Sequence, residues 1–217
     1  MKSTKSITKE ELQDKIEAAE EAHELVAGTV IKIHEASLGK NGVTVGYSKV
    51  VTREFPDING NLELRQYENP GKEAIPFLPH DDLKLAFDLL RSHLILACMQ
   101  KEAYDAYGDL ISPMTFESYK GDDKLNPLNR FKVTAFKIND SETAVTLSGH
   151  RYTRGKGVLP LSQTVEFHGG LDAYEFGDEL YHCIKHARQE VLAYYHGKLA
   201  PDSQYSMDFD EAASDMG

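Results

Sequence analysis

Positions 148–157 read SGHRYTRGKG, a concentration of side chains suited to gripping a phosphate chain. Arg151, Arg154 and Lys156 surround Tyr152, with His150 beside it and glycines bracketing the group. Arginine pairs with phosphate through two parallel N–H bonds, and a tyrosine ring offers a face on which an unpaired base can stack. Glycines let a hairpin tip approach its ligand closely. The stretch before it adds Arg130, Lys132 and Lys137 as further cations, with Phe131 and Phe136 as further stacking platforms. The same cluster has a plainer reading as a charged hairpin tip that discourages edge-to-edge association.

This positive segment stands out because the protein is acidic. The 217 residues carry a formal net charge of −11. Between Lys124 and Pro160, however, seven cations face only two anions, Asp140 and Glu142, leaving the rest of the chain at −16. Bulk acidity argues against a protein that coats nucleic acid with its whole surface, but it allows one basic face.

The negative charge gathers at the two ends. Glu10, Glu11, Glu17, Glu20, Glu21 and Glu24 line one side of an expected helix over residues 1–28. That helix opens with the Thr8/Glu11 capping box and has a thin apolar stripe of Leu12, Ile16, Ala19 and Val26. Residues 199–217 form an acidic tail without enough apolar side chains to order it, so disorder is expected there. Within it Met207, Asp208, Phe209, Asp210 and Glu211 set hydrophobes among carboxylates, a surface suited to partner proteins. This tail is similar in composition to those of bacterial and phage single-stranded-DNA-binding proteins. Such a resemblance implies recruitment of partner enzymes and competition with DNA for a basic groove. Those tails close on an aromatic or apolar residue, whereas this sequence closes on SDMG.

Other candidate chemistry is sparse. Glu179, His182 and His186 have spacing that can place three metal ligands on one helix face, but they fall on the polar side of that helix. No second ligand cluster pairs with them in sequence. The HDD at 80–82 reads as helix capping and His93 as a core histidine, so no metal is expected. Phosphate-loop, dinucleotide-fold and nucleophile-elbow signatures are absent, and no carboxylate spacing singles out an acid/base pair. The expectation is a non-enzyme without a cofactor. Cys98 and Cys183 lie in apolar helical patterns and are expected as buried free thiols. With no membrane-spanning apolar run and no apolar stretch after the N-terminal lysines, a cytoplasmic setting is expected.

The elements that must position the basic group follow from hydrophobic periodicity. Strands are expected at 29–35, 43–55 and 61–67, the last two joined by an Asn59–Gly60 turn. A proline-containing loop holding Pro70, Gly71, Pro76 and Pro79 then leads to a nearly all-apolar helix over 80–100. Residues 103–128 read as a packed connection rich in tyrosine. Strands follow at 130–138, 143–153 and 158–167, and a helix at 171–196 closes on Gly197. Alternation along the middle strand places Arg151 with Val145 and Leu147, and His150 and Tyr152 with Thr146 and Ser148. The glycine-rich tip is expected to disturb that parity.

The outline is α+β: antiparallel sheet or sheets backed by helices, as tandem βββα units over 29–102 and 129–198. The function this supports best is an accessory protein for single-stranded DNA or RNA with little sequence preference, of a phage or viral replication or recombination type. Its rival is a protein-interaction module, such as a homo-oligomer closed by the basic segment on acidic surfaces. In the first case cations and Tyr152 share one open face; in the second they are paired with carboxylates or scattered. A third reading, capture of a nucleotide or small phosphorylated ligand, needs an enclosed pocket.

Overall fold

The computed structural model describes residues 29–56, 62–117, 126–153, 155, 157–169 and 174–200. The expected helix over 1–28 and the tail from 201 lie outside them. Six strands form one antiparallel sheet: β1 (Thr29–Leu38), β2 (Val43–Pro56), β3 (Leu62–Ile75), β4 (Phe131–Ile138), β5 (Ala144–Tyr152) and β6 (Val158–Glu166). Their order is β3-β2-β1-β4-β5-β6, so each half is a meander and the two first strands pair at the centre. That central pairing sets Glu35 opposite Lys137, Ala36 opposite Phe136 and Ser37 opposite Ala135. The two βββ runs therefore share a single sheet.

The chain divides into two compact units, residues 1–32 with 48–71 and residues 33–47 with 72–217. In the smaller unit Lys32 Nζ reaches Glu68 Oε1 at 3.1 Å, and Val30, Leu62 and Leu64 are exposed. The larger unit holds the helices: α1 (Asp81–Leu89), α2 (Arg91–Ala97), α3 (Pro113–Glu117) and α4 (Gly177–Tyr195). Helix α4 packs on α1, while α2 packs on β4, β5 and β6.

Two expectations need correction. β3 does not end before Pro70 but runs through Pro70 and Gly71 to Ile75. Proline removes a ladder donor, and the outermost position of β3 is where that loss is tolerated; Pro160 sits likewise in β6 at the opposite edge. The helix over 80–100 is two helices, broken at Leu90, whose backbone N–H turns to Phe87 and Asp88 carbonyls. Leu85 and Met99 are exposed, while Leu83, Phe87, Leu90, Leu94 and Ile95 are buried.

The local chemistry of the ends follows the sequence closely. His80 caps α1 by accepting the Leu83 N–H on Nδ1 at 3.3 Å, and Asp81 and Asp82 occupy its first turn, where the helix dipole favours anions. α4 starts at Gly177 and buries Leu180, Ile184, Ala187, Val191 and Tyr194. Its C-terminus is a Schellman turn: Gly197 has φ +97°, and Lys198 N–H reaches the Ala193 carbonyl at 3.0 Å. The Tyr194 hydroxyl donates to the Phe77 carbonyl at 2.6 Å, fixing the segment that leads into α1. The connection after α2 is packed through Ala103, Phe116 and Leu128, which join Ile95, Leu96 and Phe131 in one apolar cluster. Neither cysteine is in a disulfide among the described residues, and both are half-buried rather than buried. No helix among the described residues is long and apolar enough to cross a membrane.

Candidate nucleic-acid interface

Among the described residues, helices cover one face of β4, β5 and β6 and none packs on the other. Along β5 the covered side takes Val145, Leu147, Gly149 and Arg151; Thr146, Ser148, His150 and Tyr152 point to the open side. The parity holds to the end of the strand, through the expected disturbance. Gly149 is required on the covered side. A Cβ there would lie 2.1 Å from the Lys132 carbonyl oxygen and 2.8 Å from Leu94 Cδ2, so its absence lets α2 settle onto the sheet.

β4 contains a bulge. Its pairing with β5 shifts between Val133 and Ala135, where Thr134 is the extra residue. Without the bulge, Lys132 and Lys137 would face opposite sides, because they are an odd number of positions apart. With it, both lysines are exposed on the open face, and Phe131, Val133, Phe136 and Ile138 all enter the core. Lys132 stands opposite His150 and Lys137 opposite Thr146.

The open face is polar along its middle, with Pro160 and the exposed Val158 opposite His150 and Tyr152 at its end. Thr146 and Thr164 hydroxyls are 2.7 Å apart, and Ser148 and Ser162 hydroxyls 3.0 Å apart, forming a short ladder between β5 and β6. Beyond it the His150 and Tyr152 rings meet edge to face, with centroids 4.7 Å apart and planes at 85°. Tyr152 is 44 % exposed. Burial, reinforced by the Lys132 charge, holds the His150 imidazole below the ordinary histidine pKa, so it is neutral at pH 7. Past Tyr152 the hairpin is closed by Thr153, whose N–H donates to the Gly157 carbonyl at 2.9 Å. Its hydroxyl oxygen accepts the Gly157 N–H at 3.1 Å.

The remaining expected contacts divide. Arg130 ends the turn Pro127–Arg130 just before β4 and is half-buried. Phe136 is fully buried, its ring 5.6 Å from that of Phe87; it is a core residue and offers no stacking surface. Arg151 is also displaced from the expected role. Its guanidinium lies on the covered face, 5.5 Å above the Phe131 ring and 2.7 Å from Glu102 Oε1. Arg154 and Lys156 lie outside the described residues, as do Met207, Asp208, Phe209, Asp210 and Glu211 of the tail. The open face thus unites Lys132, Lys137, His150 and Tyr152 and excludes Phe136 and Arg151.

A second group was not expected as a unit. His80, Asp82 and Glu190 bring one ligand-type atom each within 4.8 Å of one another, and Lys198 bridges the two carboxylates. Nothing in the sequence reveals that His80 and Asp82 come to meet Glu190.

The chain matches no known protein family, no curated protein and no solved structure.

Proposed function

We propose that the open face of β4, β5 and β6 binds single-stranded nucleic acid, with phosphates on Lys132 and Lys137 and a base on Tyr152. The observation that carries this reading is the β4 bulge. It costs a ladder bond, and it sets two lysines on a surface that none of the described helices covers, beside an exposed ring. A hydroxyl ladder and an edge-to-face aromatic pair give hydrogen-bonding groups and a stacking platform without a base-specific fork, which suits sequence-tolerant binding. The uneven charge of the sequence supports it further, because the local cations would draw a polyanion to this face of an acidic protein. Arg130 keeps its expected role as a phosphate contact, while Arg154 and Lys156 lie outside the described residues. The protein would act as a stoichiometric accessory, with the acidic tail moderating affinity or meeting protein partners.

The rival reading, a protein-interaction module, draws on one observation: Arg151 is paired with Glu102 at 2.7 Å. Part of the basic segment is thus already matched by a carboxylate.

Fluorescence anisotropy with a labelled single-stranded oligonucleotide across a salt series separates the two. Each phosphate contact adds about 0.7 to the slope of log K against log salt for a single strand. Lys132→Ala with Lys137→Ala should flatten the slope by about 1.4. Tyr152→Ala should weaken binding by about 1–3 kcal/mol at every salt concentration. An absence of binding at low salt, in full-length and tail-truncated protein alike, discards this reading in favour of the interaction module.

A further inference from the structure

We propose that His80, Asp82 and Glu190 form a site for a divalent cation of the zinc class, in which the metal displaces the Lys198 ammonium. The site joins the start of α1 to the last turns of α4. His80 is buried, with its side chain 7 % exposed, and its Nε2 makes no hydrogen bond. That nitrogen points toward Glu190 Oε2, 3.5 Å away. The separation is longer than a good hydrogen bond. It matches the spacing of about 3.4 Å between two ligands that each lie about 2.1 Å from a tetrahedral metal.

The two carboxylates already converge on one positive charge. Lys198 Nζ lies 2.7 Å from Asp82 Oδ2 and 2.8 Å from Glu190 Oε2. Lys198 follows the Schellman turn on an exposed stem, so its head can swing into water when another cation enters. His186, one turn before Glu190 on α4, is not among the converging atoms. One imidazole and two carboxylates are nitrogen and oxygen donors that zinc accepts, with the fourth position left to solvent. Coordination through Nε2 leaves the imidazole proton on Nδ1, so the capping bond from Leu83 is released on binding.

Titration calorimetry of the full-length chain with zinc chloride tests the site. One zinc per chain is expected, and Lys198→Met should tighten it about tenfold by removing the competing charge. Glu190→Gln and His80→Asn should abolish uptake; asparagine retains a helix-capping side chain, so the second variant keeps α1 capped. Thermal unfolding read by circular dichroism should show a zinc-dependent rise in midpoint for Lys198→Met and none for Glu190→Gln. A wild type and a Lys198→Met variant that both take up no zinc overturn the proposal, as does unchanged uptake by Glu190→Gln and His80→Asn.

Discussion

The Arg151 guanidinium is held between an ion pair and a ring: Glu102 Oε1 lies 2.7 Å from Nη2, and the Phe131 centroid 5.5 Å from Cζ. The two charged side chains are only 19 % and 10 % exposed, so solvent screens the pair weakly. Glu102 Oε2 is buried without a hydrogen-bond partner, which makes the carboxylate dependent on Arg151. Arg151→Met should destabilise the fold by about 3 kcal/mol, because it strands a buried charge. The double variant Arg151→Met with Glu102→Gln should recover part of that loss. Urea denaturation measures both. The same substitution should leave the salt dependence of oligonucleotide binding unchanged, which separates Arg151 from Lys132.

On the open face the coupling between Lys132 and His150 can be titrated directly. Burial lowers the His150 pKa most, and the Lys132 charge lowers it further. Lys132→Met should therefore move the His150 titration upward, though not to its ordinary value, as followed by nuclear magnetic resonance of the imidazole protons. Protonation adds a cation to the face, so oligonucleotide binding should strengthen as the pH falls through the His150 pKa. His150→Gln should remove that increment. A His150 titration unmoved by Lys132→Met would show that the two side chains do not share the surface.

Much of the architecture was legible in the sequence because hydrophobic period and turn chemistry agree there. The strands lie within a few residues of the alternating segments, and Gly197 takes the left-handed conformation expected of a helix stop. The face assignment was only half legible. β5 alternates regularly, so Arg151 with Val145 and Leu147 could be read from spacing. β4 does not, and no residue type marks Thr134 as an insertion in the ladder. Phe136 was assigned to stacking for this reason: the bulge turns it onto Phe87 instead. β3 was shortened because Pro70 looks like a strand breaker until its edge position is known. The His80, Asp82 and Glu190 cluster depends on α1 meeting α4, a contact between distant segments that local pattern does not encode.

Gly149 gives a sharp test of how the covered face is built. An added methyl group would lie 2.1 Å from the Lys132 carbonyl oxygen, a backbone atom that cannot move without disturbing β4. Gly149→Ala should therefore cost at least about 3 kcal/mol, at the upper end of overpacking penalties. Gly155→Ala is the matched control, since nothing stands within 4 Å of a Cβ there. Thermal unfolding of the two variants side by side decides it. Equal midpoints would mean that α2 does not rest on β5 as described.

His93 should make the fold sensitive to acid. Its ring is 1 % exposed, Nδ1 is hydrogen-bonded to the Tyr174 hydroxyl at 3.0 Å, and Nε2 is buried without a partner. Burial lowers its pKa from 6.5 to about 4. Between those values the unfolded chain binds a proton that the folded chain refuses, so stability rises with pH across the interval. It is complete above pH 6.5 and is lost progressively as the pH falls toward about 4. A shift of this size corresponds to about 3 kcal/mol. His80 and His150, also lowered by burial, contribute in the same direction. Urea denaturation at a series of pH values should show this slope, and His93→Gln, which can keep a hydrogen bond to Tyr174, should flatten most of it. A wild-type curve level from pH 7 to pH 4 would place His93 in contact with water instead of inside the core.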